Sequence, residues 1–170
     1  HQEADRLVTL IDDILRLSQL DEGGALPHEQ ISLLELAQEA ARSLTAQAAA
    51  QSVSVSVTGT AGTVFGVRRL LYEIARNLCE NAVKYNVPGG SVTVEVAETD
   101  RDVTLLVRDT GIGIPEGDQS RVFERFYRVD KSHSRAIGGT GLGLSIVKHA
   151  VAYHHGTLRL ESQPGTGTTI

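Results

Sequence analysis

Gly138 to Lys148, Gly-Gly-Thr-Gly-Leu-Gly-Leu-Ser-Ile-Val-Lys, places four glycines among its first six residues. Such a backbone reaches φ > 0 and lets a ligand come close. From Leu142 the apolar residues recur at helical spacing (Leu142, Ile146, Val147, Ala150, Val151), so the loop runs into the first turn of a helix. Unpaired N–H groups and the positive end of the peptide dipole there suit phosphate oxygens. A flexible turn is the plain alternative. A second cluster, Asn77, Asn81 and Lys84, lies on a helix expected over Val67 to Tyr85. At about 100° per residue it falls about a quarter turn from Leu71, Ile74, Ala75, Leu78 and Ala82. Asparagine is a poor choice for helix propensity, although a solvated polar face needs nothing more. A third, Asp109-Thr-Gly-Ile-Gly-Ile-Pro115, sets an acid at a strand end before paired glycines. It reads either as an ordinary turn or as a place where a ligand meets the backbone.

The surrounding composition bounds these readings. The chain has 170 residues, 41% of them hydrophobic and 22% charged, which describes one soluble globular domain with an appendage and a sizeable core. A net charge of −5 without a basic run argues against general nucleic-acid binding. The single Cys79 excludes a disulfide framework, fits a reducing compartment and sits in an apolar helical pattern as a small core residue. No apolar run approaches the roughly 18 residues that cross a bilayer.

In chain order, His1 to Leu20 reads as a helix whose Leu7, Leu10, Ile14 and Leu17, with Ile11 alongside, form a heptad-like seam. No later segment looks like its partner, so the start is expected to have been cut from something longer. Asp21 to Gly24 ends the helix, and Ala25 to Gln30 is expected to act as a linker. A helix from Leu33 closes near Gln51, a strand holds Val53, Val55 and Val57, and Gly59 to Gly66 holds a turn and a short apolar piece. After the Val67–Tyr85 helix come a strand over Val92 to Val96, a hairpin at Thr99 to Arg101 and a strand over Val103 to Val107. A short helix over Gly117 to Phe123, a polar mobile lid from Val129 to Gly139, the loop-helix to His154, and strands over Thr157 to Glu161 and Gly167 to Ile170 complete the order. Paired strands with helices between them give a two-layer α+β domain.

Four stretches stand in a fixed order: Asn77-Leu-Cys-Glu-Asn81-Ala, Asp109-Thr-Gly-Ile-Gly113, Phe123-Glu-Arg-Phe126-Tyr-Arg128 and Gly139-Thr-Gly-Leu-Gly143-Leu. In that order they resemble the N, G1, F and G2 boxes of the ATP-binding domain of sensor histidine kinases, with Gly165-Thr-Gly-Thr168 similar to a further glycine-threonine element. The phosphate-sensor-like branch of transmembrane kinases is the nearest likeness. Leu7 to Asp21 is similar to the close of the second dimerisation helix. The resemblance implies a Bergerat-type two-layer α/β sandwich: a mixed sheet covered on one face by helices, with residues 1–24 from a dimerisation bundle and 25–170 forming the catalytic ATP-binding domain.

The cofactors implied are ATP and Mg²⁺. Asn81 would carry the metal through its amide oxygen, Asn77 would border the same site, Lys84 would meet the phosphates and Tyr85 the adenine. Asp109 would accept from the adenine amino group, with Gly111 and Gly113 passing the base and Thr168 helping Asp109 through a water. Gly139, Thr140, Gly141, Leu142 and Gly143 would wrap the phosphates. Arg128 would stabilise charge on the transferring phosphoryl group, an exposed lid cation being its alternative. Phe123 and Phe126 would anchor the lid. The implied partners are the protein's own upstream dimerisation helix, in a homodimer, and a response-regulator receiver domain. The implied place is the cytoplasmic portion of a plasma-membrane sensor. None of His1, His28, His133, His149, His154 or His155 lies in a His-Glu-Leu-Arg-Thr-Pro-like box, so the acceptor is expected upstream and the chain alone is not expected to autophosphorylate. Two alternatives stay open: an ATP-hydrolysing relative, against which Asn77 stands where a glutamate base is expected, and a non-catalytic nucleotide-binding regulatory module.

Overall fold

A computed structural model describes residues 2–21, 26–129 and 139–170; Gly138, His133 and most of the expected lid lie outside the described residues. The elements run α1 (Gln2–Asp21), β1 (Glu29–Ser32), α2 (Leu33–Ser43), α3 (Thr45–Ala50), β2 (Ser54–Gly59), β3 (Thr63–Gly66) and α4 (Arg68–Lys84). They continue with β4 (Ser91–Glu98), β5 (Val103–Asp109), α5 (Glu116–Gln119), α6 (Gly143–Tyr153), β6 (Glu161–Gln163) and β7 (Gly167–Thr169).

Five strands form a mixed sheet in the order β2-β4-β5-β7-β6, with β2 parallel to β4 and the other neighbours antiparallel. Alternation along β4 turns Val92, Val94 and Val96 inward, each 1% exposed or less, while Ser91, Thr93 and Glu95 face outward. On the inner face lie Leu36, Ala37, Leu78, Cys79, Val83, Val147 and Ala150 from α2, α4 and α6, all part of one core. The result is the expected two-layer α+β arrangement. Cys79 is fully buried and its thiol is pushed up to about 12 by burial, so it serves as packing and is no nucleophile at ordinary pH.

Four expectations about elements change. The supposed linker 25–30 enters β1, which pairs antiparallel with β3 and opposes Ile31, 2% exposed, to Val64. The helix expected to reach Gln51 breaks at Leu44, whose N–H turns back to Ala41 O while the Thr45 hydroxyl takes Arg42 O. A hydroxyl competing for a carbonyl favours such a break. Leu44 is still 2% exposed, so apolar spacing runs unbroken across the kink. The short helix is only Glu116–Gln119, followed by turns closed by Arg121 N–H to Asp118 O and Glu124 N–H to Arg121 O. The first closing strand begins at Glu161, because β7 offers partners only in the register Glu161↔Thr169 to Gln163↔Gly167.

The N-terminal helix also finds a partner within the chain. Leu17, 4% exposed, packs with Leu142 and Ile146 at the start of α6, and Leu10 flanks them. Arg16 on α1 pairs with Glu73 of α4 at 2.9 Å, and Asp13 accepts from the Thr140 hydroxyl at 2.6 Å. The rest of the seam stays outside: Leu7, Ile11 and Ile14 are 55%, 55% and 45% exposed. A helix with its apolar stripe largely in water is held by few contacts. Leu17→Ala should therefore weaken this contact by about 2–5 kcal/mol. Hydrogen exchange should speed up throughout α1 and stay unchanged in the middle of α4; equal change in both would refute it.

Candidate functional site

Two stretches of the chain meet over the last two turns of α4. A Cβ built on Gly143 would stand 3.0 Å from Asn77 Oδ1, and one on Gly139 would stand 2.7 Å from Lys84 Nζ. The glycine loop thus rests on the polar face of α4, where a side chain at Gly139 would push the Lys84 ammonium aside and one at Gly143 would crowd the Asn77 amide. Gly141 holds φ +76°, where its bare Cα meets the Phe126 backbone, and Phe126 N–H donates to Gly141 O at 2.9 Å. Phe126 itself has φ +63° and is 55% exposed, and it holds the loop through its backbone.

The loop residues differ in what they offer. Leu142 is fully buried against Leu17 and Ile146, which leaves only its backbone to face a ligand. The Thr140 hydroxyl donates to Asp13 and accepts from Leu142 N–H at 3.3 Å. The two asparagines differ as well. The Asn77 amide nitrogen donates to Glu73 O at 2.8 Å and to Glu73 Oε2 at 3.3 Å, which turns its carbonyl oxygen toward Gly143. Asn81, half-buried one turn later, makes no side-chain hydrogen bond among the described residues. Its amide oxygen is a neutral ligand of the kind a hard cation takes alongside oxygen ligands of its own.

Asp109 ends β5 beside this face. Its Oδ1 accepts from Gly111 N–H at 2.8 Å and from Thr168 N–H at 3.2 Å. Among the described residues nothing bonds Oδ2. Burial pushes the Asp109 carboxyl up, and those two N–H groups oppose the shift without cancelling it. The following loop is stitched to the end of α4: Ile112 N–H donates to Tyr85 O at 3.1 Å, and a Cβ on Gly111 would stand 2.3 Å from the same oxygen. Gly113, at φ +71°, passes Gln163 of the β6–β7 hairpin. Lys84 lies 5.7 Å from the Tyr85 ring centre. Burial lowers the Lys84 ammonium, Glu80 raises it and Arg128 lowers it further, so Arg128 is close enough to be felt at both Lys84 and Tyr85.

Asn77, Asn81 and Lys84 on α4, Tyr85 at its C-cap, Asp109 to Gly113 at and after the end of β5, Gly139 to Gly143, and Thr168 on β7 therefore border one region, with the Arg128 charge acting on Lys84 and Tyr85. One direct contact adds to the expected water-mediated one. Thr168 reaches Asp109 directly through its backbone N–H, while its hydroxyl turns to Ser162 at 2.8 Å. Sequence reasoning missed Ser162, Gln119, Glu73 and Asp13. Ser162, Gln119 and Asp13 act across tertiary contacts, and Glu73 joins a tertiary pair with Arg16 to an i,i+4 bond with Asn77.

Comparison with known proteins agrees with this geometry. Residues 66–170 match the family model described as histidine kinase-, DNA gyrase B-, and HSP90-like ATPase. The sensor-like histidine kinase SenX3 of Mycolicibacterium smegmatis is 42% identical over 99% of this chain, which spans 44% of that relative. The structure of the mycobacterial sensor histidine kinase MprB superposes with a TM-score of 0.72 at 32% identity, over 84% of this chain and 93% of that one. Full-length ShkA in complex with AMPPNP superposes with a TM-score of 0.84 at 25% identity, over 99% of this chain and 35% of that one. The chain thus spans less than half the length of the curated relatives it matches. It belongs to the histidine kinase-, DNA gyrase B- and HSP90-like ATPase family, within the sensor histidine kinases of two-component systems.

Proposed function

We propose that residues 25–170 bind Mg-ATP and transfer its γ-phosphoryl group to a histidine on an upstream dimerisation helix, for relay to a response-regulator aspartate. Residues 1–24 are then the end of the second dimerisation helix, whose exposed Leu7, Ile11 and Ile14 meet the second copy of a homodimer. The carrying observation is the Asp109 carboxylate, with one oxygen committed to two N–H groups and the other open, beside a glycine loop resting on a polar helix face. Asp109 takes the adenine amino group and Tyr85 packs on the base. Asn81 holds Mg²⁺, which neutralises phosphate charge when bound, and Asn77 borders it. Lys84 and the Gly139–Gly143 backbone hold the phosphates, and Arg128 faces the transferring group. Catalysis then rests on positioning and charge neutralisation. Hydrolysis is disfavoured because Asn77 supplies no base and Glu73 is committed to Arg16 and Asn77. No described helix is long and apolar enough to cross a membrane; the proposed setting is the cytoplasmic side of a membrane sensor.

The test mixes the chain with a helical hairpin carrying the upstream histidine and follows γ-labelled ATP. Acid-labile, base-stable label on the hairpin is expected, and none on the chain alone. Free phosphate without labelled hairpin would make it an ATPase, and bound ATP with neither product a regulatory module.

Lys84 adds a pH signature. Its ammonium is lowered in the free chain, and phosphate oxygens beside it favour the charged form, so binding raises it. At alkaline pH between the two values, Mg-ADP binding takes up a fraction of a proton; well below both, none is exchanged. Calorimetry in buffers of different ionisation enthalpy reads the uptake, which Lys84→Met should abolish. Uptake unchanged in Lys84→Met would remove Lys84 from the phosphates.

A further inference from the structure

Ser162, on β6, is the junction of four segments. Its Oγ accepts from Ile114 N–H at 2.8 Å, lies 3.1 Å from Gly167 O and meets Thr168 Oγ1 at 2.8 Å. Gln119 braces the junction from behind, its amide nitrogen donating to Ile114 O at 2.9 Å and to Ser162 O at 3.0 Å. Ser162 has one proton and Gly167 O can only accept. One assignment satisfies all three contacts: Ile114 donates to Ser162, Ser162 donates to Gly167, and Thr168 donates to Ser162.

The Thr168 hydroxyl proton is then used up, and its remaining capacity is lone pairs alone. Thr168 is the cross-strand partner of Asp109 and donates its backbone N–H to Asp109 Oδ1. The open Oδ2 of Asp109 likewise only accepts when ionised. The floor of the site at β5 and β7 therefore presents no side-chain donor. A base edge reaching it directly must bring a donor. One reaching it through a water that gives a single hydrogen to the floor meets that water's second hydrogen and must bring an acceptor. A 6-amino purine has the amino donor beside the N1 acceptor; a 6-oxo purine carries the reverse pair.

Building on the nucleotide reading above, we infer that Ser162 is a specificity-determining positioning residue. By taking the Thr168 hydroxyl proton, it makes the base-facing floor acceptor-only and so selects 6-amino over 6-oxo purine nucleotides. It touches neither base nor phosphate and acts through Thr168.

The test titrates the chain with Mg-ATP and with Mg-inosine triphosphate, which differ at this edge alone. Wild type is expected to prefer ATP. Ser162→Ala frees the Thr168 hydroxyl to donate, and the preference should shrink about tenfold, the worth of one hydrogen bond reversed in sense. Ser162→Thr, which keeps the hydroxyl, should restore it. Thr168→Val should lower the preference on its own, and Ser162→Ala added to it should lower it no further. If Ser162→Ala does not fold, Thr168→Val and Ser162→Thr still decide. An equal loss for both nucleotides, with the ratio kept, would make Ser162 a structural strut and overturn the inference, as would additive effects in the double variant. A wild type that binds ATP and the inosine nucleotide alike overturns it while sparing the nucleotide reading. A wild type that binds neither overturns both.

Discussion

Asparagine in place of Asp109 is expected to weaken Mg-ADP binding at least about 100-fold, while the fold stays intact. Asp109 Oδ1 is committed to Gly111 and Thr168 N–H. An asparagine must turn its carbonyl oxygen to those same donors, which puts its NH₂ where the open carboxylate oxygen stood. A donor then faces the amino group of the base. Losing a charge-assisted hydrogen bond costs about 1.5–3 kcal/mol, and the unsatisfied donor adds to it; about 2.7 kcal/mol is 100-fold. Stability should not fall with it. Burial holds the Asp109 carboxyl above its ordinary value, so its ionised form is disfavoured in the folded chain. That burden is present above the raised pKa and lifts as pH falls through it. At neutral pH the neutral variant should melt no lower than wild type. Calorimetry and a thermal melt on one sample separate the two effects, and binding within threefold of wild type would remove Asp109 from the base.

The second large effect is on transfer. Asn81→Ala should slow label transfer to the hairpin by about 10²–10³-fold, the range for deleting one group that stabilises developing charge. The Asn81 side chain makes no hydrogen bond among the described residues and sits in the last turn of α4. Alanine there removes no internal bond and raises helix propensity by a few tenths of a kcal/mol, so the melting point should hold or rise. Excess Mg²⁺ should recover part of the rate, because a weakened metal site fills at higher concentration. A full rate at low Mg²⁺ would take the metal away from Asn81.

Much of this molecule was readable in advance because its signals are local. A 3.6-residue period marked α4 and set Asn77, Asn81 and Lys84 on one face. Period-two alternation marked β4 and β5, and paired glycines marked the loops that carry positive φ at Gly113 and Gly141. Most of what escaped depends on partners far along the chain. β1 is a strand because residues 63–66 lie beside it. β6 begins at Glu161 because β7 sets the register. The kink at Leu44 hid because the side chains on either side of it are buried alike. Ser162 and Gln119 look like ordinary polar surface residues until the fold brings Ile114 to them. The resemblance gives Asn81 and Asn77 different roles, and the bond from Asn77 to Glu73, one turn earlier on α4, adds a physical difference between them.

The docking of α1 on the glycine loop has a thermodynamic consequence. Thr140 spends its hydroxyl on Asp13, and Leu142 lies under Leu17. Whatever free energy nucleotide gains or loses by moving this loop is returned, equal in size, as a bias on where α1 sits. If a twist of α1 that breaks the Asp13–Thr140 bond changes nucleotide affinity, nucleotide shifts that twist by the same factor. Any coupling between α1 and the glycine loop therefore runs through this one contact, with no route across the sheet required.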